Sequence, residues 1–278
     1  MSDQYAVIGN PIAHSKSPWI HSSFAKQLGE SVEYNLLSAD TDAFSAAIRA
    51  FAAKGGKGLN VTVPFKQEAW AAADELSDHA RKAGAVNTLS FLENGRIRGD
   101  NTDGVGLVRD LIENQSVTLK GRRILMMGAG GAVRGVLQPL LEQSPAEIYI
   151  VNRTVERAED LATLFAELGQ ITAGSYADLS EQGAFDVIIN GSSSSLGGEL
   201  PPLPASIVAL GCHAYDMMYA AEPTIFERWC ADHQASSVSN GLGMLVEQAA
   251  ESFWIWRKKR PDTAPVLKAL SDSLKATA

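Results

Sequence analysis

The chain has 278 residues, 45% hydrophobic and 20% charged, with 24 Lys and Arg against 32 Asp and Glu for a formal charge of −8. This is a globular rather than a disordered composition, long enough for about two domains at roughly 150 residues each. Its acidic balance argues against a nucleic-acid partner, which calls for positive charge to meet phosphate. Residues 5–8 read as a short buried strand. Ser17 and Pro18 read as an N-cap and first helical position, followed by Ile20, Phe24 and Leu28 at helical spacing. Residues 33–37 form the next strand, and Asp40 or Thr41 caps a helix with Phe44, Ala47, Ile48 and Phe51 on its apolar face. Residues 54–58 are a glycine-rich loop, and residues 59–63 a β-branched strand stopped by Pro64. Residues 86–92 and 96–98 flank Asn94 and Gly95, a hairpin turn. A polar cluster at residues 99–104 opens a helix to about Glu113.

A second unit begins near Gly121. Strands are expected at 123–127, 148–151 and 185–189, helices at 132–142 and 155–168, then a Ser/Gly/Pro-rich loop at 192–204. Mixed strand and turn at 208–217 and a helix at 222–231 follow, then long helices at 243–257 and 265–274. Alternation of strands and helices is the pattern of an α/β protein with parallel sheets. The two tail helices are expected to return to the first unit, leaving the second as one uninterrupted block.

No apolar run reaches the ~20 residues of a membrane span, and no signal-peptide pattern opens the chain. Two cysteines, Cys212 and Cys230, form no metal or redox motif. Five histidines lack ligand spacing, His14 and His21 reading as loop and helix-face residues, so no metal is expected. A cytoplasmic protein without a membrane partner follows.

Gly128, Ala129, Gly130, Gly131 and Ala132 lie between a strand and a helix, where a dinucleotide pyrophosphate sits on free N–H groups. The match to the G-x-G-x-x-G pattern is partial, because the third position is Val133. A plain strand-to-helix turn is the simpler alternative, and the strand–turn–helix frame favours the nucleotide. NAD binders place a carboxylate at the end of the next strand, ~20 residues on. Here that end carries Asn152, Arg153 and Thr154, with Arg157 one turn further. Guanidinium and hydroxyl groups suit a 2′-phosphate, so the cofactor reads as NADP(H). Solvated charge is the competing account, and it fits Arg157 better than Arg153.

Lys66 follows a strand end, Asn87 and Thr88 lie early in another strand, and Asp100 and Asp103 sit at a helix start. On spacing alone the plainer reading is preferred, with Lys66 a surface lysine and the aspartates helix caps.

At this point the chain resembles the bacterial shikimate dehydrogenases. The matching stretches are residues 7–18, 60–66, 84–88, 99–104, 128–132, 152–154, 215–217 and 241–248, collinear over nearly the whole sequence. The resemblance implies two α/β domains: residues 1–101 with 238–278 bind substrate and carry catalysis, and residues 102–237 form a Rossmann-like NADP-binding domain. It implies reversible NADPH-dependent reduction of 3-dehydroshikimate to shikimate, a step toward chorismate and the aromatic amino acids. Ser15 and Ser17 resemble the hydroxyls that hold the substrate carboxylate. Thr62, Asn87, Asp103, Tyr219 and Gln248 resemble the groups around the ring hydroxyls. Lys66 resembles the catalytic lysine and Asp103 its partner. Met217 and Gly241 resemble positions lining the nicotinamide, and Asp78 stands where relatives have an acidic cofactor contact. The chemistry is coherent, since a protonated amine stabilises the oxyanion that forms as hydride arrives and supplies its proton. Site groups that bond substrate hydroxyls reject analogues lacking them.

Two departures stand out. Relatives have Asn-Ala-Thr-Ser where this chain has Asn190, Gly191, Ser192 and Ser193, so Gly191 is expected to loosen that loop. After Tyr219, the Thr-Pro of relatives becomes Pro223 and Thr224. Three alternatives share features with this chain: a quinate/shikimate dehydrogenase of broader specificity, with NAD use as its variant, a folate-linked dehydrogenase, and a silent NADP(H)-binding sensor. Arg153 argues against the first, Ser15 and Ser17 with the cluster at 100–103 against the second, and the presence of Lys66 and Asp103 against the third. Either a monomer or a homodimer fits.

Overall fold

The computed structural model describes residues 2–192 and 194–276 and divides into two compact units. Residues 1–106 with 246–267 make the first, and residues 107–245 with 268–278 the second. These breaks lie a few residues beyond those expected at 101 and 237, for local reasons. Thr102 and Asp103 are hydrogen-bonded to Asn87 of the first unit, whereas Leu107 enters the second core. A strand at Ser237–Asn240, unread in the sequence, pairs with Val208–Asp216 and keeps the chain with the second sheet. Residues 268–278 group with the second unit rather than the first.

In the first unit the sheet contains β1 (Asp3–Gly9), β2 (Val32–Ser38), β3 (Gly56–Val61), β4 (Glu75–Leu76), β5 (Thr88–Phe91) and β6 (Ile97–Asp100), in the order β2-β1-β3-β5-β6-β4. β1 is parallel to β2 and β3, but β5 is antiparallel to β3 and β6. The sheet is therefore mixed, not purely parallel. A tight turn joins only antiparallel strands, and Gly95 takes φ +80° in that turn. The helices are α1 (Ser17–Leu28), α2 (Phe44–Ala53), α3 (Lys66–Ala72) and α4 (Asp78–Ala83). Ser17 is the first helical residue of α1, with Lys16 at the N-cap. Neither Asp40 nor Thr41 caps α2, which starts after a turn with Ala43 at its N-cap. Ile8, Leu59, Val61, Phe44, Ile48 and Phe65 are fully or almost fully buried between sheet and helices.

The helix α5 (Asp103–Arg109) continues into a π-helical turn at Asp110–Asn114. Six parallel strands follow in the second unit: β7 (Arg123–Met127), β8 (Glu147–Val151), β9 (Ile171–Gly174), β10 (Phe185–Asn190), β11 (Val208–Asp216) and β12 (Ser237–Asn240). Their order, β12-β11-β10-β7-β8-β9, is the doubly wound dinucleotide-binding arrangement, with its reversal between β7 and β10. Helices α6 (Gly131–Leu141), α7 (Val155–Phe165) and α8 (Ile225–Asp232) accompany them, and α9 (Leu242–Arg257) and α10 (Ala264–Lys275) close the chain. Phe253 of α9 packs edge-on against Phe24, and Arg257 pairs with Glu30 and Asp3, so this part of the tail returns to the first unit.

Two buried histidines make stability depend on pH. His21 stacks on Tyr34 with ring centroids 4.2 Å apart, and neither ring nitrogen has a hydrogen-bond partner. Burial lowers its pKa to about 3, against a weaker opposite pull from Asn60, and burial lowers that of His213 to about 4. Below pH 6.5 the unfolded chain protonates each ring and the folded chain does not. Stability is therefore complete above that pH and falls by about 1.4 kcal/mol per pH unit per ring as pH drops toward 4. His21→Phe should roughly halve this histidine contribution, read as a smaller loss of urea midpoint between pH 7 and pH 5 than in the wild type.

Candidate active site

On the first unit, Lys66 opens α3 directly after β3 and a proline turn. Its Nζ donates to Asp103 Oδ2 at 2.6 Å. The other oxygen of Asp103 accepts Asn87 Nδ2 at 2.8 Å. The same Nδ2 reaches Thr102 Oγ1 at 2.9 Å and Gln248 Oε1 of α9 at 3.3 Å. Asn87 Oδ1 accepts the Thr102 N–H at 2.9 Å, which sets which end of the amide faces Asp103. The Asp103 side chain is 15% exposed and that of Lys66 32%, so the amine is held from one side and open on the other. Asp100 pairs with Arg98 at the end of β6, and the group that bonds the first N–H of α5 is Asn101 Oδ1, at 3.1 Å from Asp103 N.

Ser15 and Ser17 lie at the start of α1, where Ser15 Oγ accepts the Ser17 N–H at 3.3 Å. Thr62 follows β3, its N–H bonded to Ile8 O, and its hydroxyl has no protein partner among the described residues. Lys66, Asp103, Asn87 and Gln248 are thus one hydrogen-bonded group, with Ser15, Ser17 and Thr62 on the same unit. Tyr219 belongs to the second unit, where burial raises its pKa and keeps the phenol protonated as a donor. Asp78 is exposed at the first position of α4, on the first unit, where a carboxylate favours the helix N-terminus.

Behind Asn87 lies a buried polar network that the sequence did not disclose. Asn60 accepts Tyr34 OH at 2.7 Å and donates to Ser252 Oγ at 2.9 Å, and Ser252 meets Thr88 Oγ1 at 2.8 Å. The available signal was a polar Asn60 between the apolar Leu59 and Val61, in a strand buried on both faces. A buried amide demands partners.

On the second unit, the glycine turn links β7 to α6. Gly128 has φ +104° and donates its N–H to Val151 O at 2.7 Å, tying the turn to β8. Gly130 is the N-cap of α6 and offers no side-chain cap. A Cβ at Gly130 or Gly131 would meet nothing within 4 Å, so the first N–H groups of the helix open onto free space. Ala129 and Ala132 complete this turn with side chains too small to cover it. The geometry suits a diphosphate. At the end of β8, Asn152 Nδ2 bonds Thr154 O at 2.8 Å, and Arg153, Thr154 and Arg157 are exposed. Neither arginine is ion-paired among the described residues.

Gly191 is the opposite of loose. A Cβ there would lie 2.4 Å from Val133 Cγ2 and 3.1 Å from Met217 Sδ. Val133 occupies the position where the dinucleotide pattern has its third small residue, and Gly191 supplies the missing space. Gly191→Ala should destabilise the chain by about 1–3 kcal/mol through overpacking. Val133→Ala should restore most of that loss in the double variant, read from urea midpoints. Ser193 lies outside the described residues. Met217 donates its N–H to Asn190 O at 2.8 Å, and a Cβ at Gly241 would lie 2.2 Å from Met217 O, so these two positions are in contact. Thr224 is the N-cap of α8 and forms a capping box with Glu227, so the shifted proline leaves a well-formed helix start. Among the described residues no group of three His, Cys, Asp or Glu is placed to hold a metal ion, and no helix is long and apolar enough to cross a membrane.

Known proteins share this arrangement along its length. The shikimate dehydrogenase substrate binding domain matches residues 7–89, the shikimate / quinate 5-dehydrogenase domain residues 110–196, and the shikimate 5'-dehydrogenase C-terminal domain residues 241–270. A shikimate dehydrogenase (NADP(+)) of Alkalilimnicola ehrlichii is 56% identical over 97% of this chain and 99% of its own. The crystal structure of an Ael1 enzyme from Pseudomonas putida superposes with a TM-score of 0.91 at 44% identity, over 97% of this chain and 98% of that one. A shikimate 5-dehydrogenase from Thermus thermophilus, solved with NADP(H) and shikimate, gives 0.86 at 31% identity over 98% and 100%. Domain matches in both units, joined by identity above one half across the whole length, place the chain in the shikimate dehydrogenase family.

Proposed function

We propose that this chain is an NADP-dependent shikimate dehydrogenase that reversibly reduces 3-dehydroshikimate to shikimate. The observation that carries the chemistry is the Lys66 Nζ–Asp103 Oδ2 contact of 2.6 Å, with the second Asp103 oxygen held by Asn87. When bound, the dinucleotide supplies the hydride. Lys66 faces the substrate carbonyl oxygen, stabilises the charge that grows there and gives it a proton. Asp103 holds the amine in place and complements its charge. The half-exposed side of Lys66 lets water restore that proton after each turnover. Asn87, Thr62, Gln248 and Tyr219 bond the ring hydroxyls, and Ser15 and Ser17 the carboxylate. The first unit is the substrate-binding part and the second the cofactor-binding part. There the diphosphate rests on residues 128–132, the 2′-phosphate meets Asn152, Arg153, Thr154 and Arg157, and Met217 and Gly241 border the nicotinamide, with Asp78 as an added acidic contact. All these groups come from one chain, so a monomer and a homodimer are equally competent. The two cysteines are unpaired and buried, which fits a reducing cytoplasm.

The test is absorbance at the nicotinamide band, with shikimate or quinate and NADP⁺ or NAD⁺ in all four combinations. Fast reduction with shikimate and NADP⁺ alone is expected. Comparable turnover of quinate or NAD⁺ would move the enzyme to a broad-specificity branch. Absence of turnover with the nucleotide bound would make it a sensor.

A further inference from the structure

Asp216 ends β11 and is fully buried. A buried carboxylate is costly unless its oxygens are bonded. The groups that stabilise this one are neutral: the Thr224 hydroxyl, the Met218 N–H, Ser195 and Asn190, all acting against the rise in pKa that burial causes. Oδ1 accepts the Met218 N–H at 3.0 Å and Asn190 Nδ2 at 3.1 Å. Oδ2 accepts Thr224 Oγ1 at 2.7 Å. Each partner sits in a different segment. Asn190 ends β10, and its own oxygen accepts the Ser192 N–H at 3.1 Å. Thr224 is the N-cap of α8, and its hydroxyl, while donating a hydrogen bond to Asp216, accepts the Glu227 N–H at 3.2 Å. Met218 belongs to the turn after β11. One carboxylate therefore ties together the chain after β10, the chain after β11 and the head of α8.

Met217 sits in the middle of that knot. Its N–H is bonded to Asn190 O, its sulfur lies against Gly191, and its carbonyl lies against Gly241. We propose that Asp216 is a positioning residue for hydride transfer, fixing the backbone at Met217 and Met218 without touching substrate or cofactor. The proposal rests on the reading above, in which Met217 and Gly241 border the nicotinamide. Asp216 makes no hydrogen bond to the glycine turn or to Arg153, and the turn meets this knot only through packing at Gly191, so the phosphate end of the dinucleotide depends on Asp216 less than the nicotinamide end does. A carboxylate serves better than an amide because both its oxygens accept, Oδ1 from the Met218 N–H and the Asn190 NH₂ and Oδ2 from the Thr224 hydroxyl, where an amide would present an NH₂.

The experiment compares Asp216→Ala and Asp216→Asn with the wild-type enzyme, whose turnover with shikimate and NADP⁺ is established first and separates this proposal from the functional reading. Active sites are counted by bound NADPH fluorescence. Loss of about an ångström of alignment costs on the order of 10²-fold. Asp216→Ala should therefore lower kcat per active site about 100-fold. Asp216→Asn, which keeps one acceptor oxygen, should lower it about 10-fold. KM for NADP⁺ should move less than about threefold, since uniform binding is untouched. The primary isotope effect with shikimate deuterated at the oxidised carbon should rise as hydride transfer becomes limiting. A merely structural residue would lower the number of active sites and leave the isotope effect alone, and that result overturns the proposal. Should Asp216→Ala fail to fold, Thr224→Val removes the Oδ2 bond together with the Glu227 N–H bond at the head of α8, and leaves both Oδ1 bonds in place. A raised isotope effect there supports the positioning role, and an unchanged one overturns it.

Discussion

Lys66→Ala is expected to lower kcat about 10³-fold, within the range that a positioned acid contributes, while the KM for shikimate moves only severalfold. The reason lies in when the amine is needed. A ground-state carbonyl asks little of a cation, whereas the alkoxide formed by hydride addition asks for both charge and a proton. The Asp103 contact holds the amine through the protein's own side chains, so its alignment is built in. Lys66→Arg sharpens the test. It keeps the positive charge, but a guanidinium does not give up its proton at working pH, so kcat should stay near the alanine value. Steady-state kinetics of both variants, with circular dichroism to confirm folding, decide the matter. An unchanged kcat in Lys66→Ala would remove this residue from the chemistry.

The second large effect concerns cofactor choice. Arg153→Ala should weaken NADP⁺ about 10- to 100-fold, the worth of one charge-assisted hydrogen bond to phosphate, and change NAD⁺ by less than about twofold. Arg153 stands exposed at the end of β8 and engages no carboxylate among the described residues, so its removal leaves no buried charge behind. Arg157, one turn further, should add a smaller loss in the double variant. Titration of each dinucleotide by fluorescence reads the ratio directly. Equal weakening of the two would show that Arg153 serves the diphosphate or the fold.

Much of this architecture was legible because the strongest signals are local. The strand, glycine turn and helix at residues 123–142 follow from an apolar run, three glycines and a new apolar face, and the structure sets β7 and α6 there. The Asn94 and Gly95 turn likewise follows from two residues that tolerate left-handed backbone. The edge strands β9 and β12 went unread for the converse reason. Ile171–Gly174 and Ser237–Asn240 are four residues each, and Ser237–Asn240 contains a single apolar side chain. Strands of this kind are made by their neighbours. Helix starts misled where side chains promised a cap that the backbone does not use, as at Ser17 and Thr41. In the candidate site, Lys66, Asn87 and Asp103 stand in recognisable motifs and the structure joins them by hydrogen bonds, whereas the residues packed behind them carry no motif. Asn60, Thr88 and Ser252 lie in three separate elements, and only folding brings them behind Asn87. Gly191 was misjudged because its need for space comes from Val133, far away in sequence.

The reversed strand β5 has a consequence for how the protein can be handled. Because β1 and β3 run together and β5 runs against β3, the start of β5 lies at the edge where β1 and β3 finish, and β6 returns to it. Ser15, Lys66, Asn87 and Asp103 all leave the sheet there. The tip at Asn94 and Gly95 lies at the far edge, exposed and closed by its own backbone bonds. A peptide tag or fluorescent reporter spliced between those two residues lengthens an exposed loop that holds none of the candidate site residues, a change that costs little. The sheet thus carries an attachment point one strand-length away from the residues to which the proposed chemistry is assigned, suited to immobilising the protein, and turnover should survive the insertion.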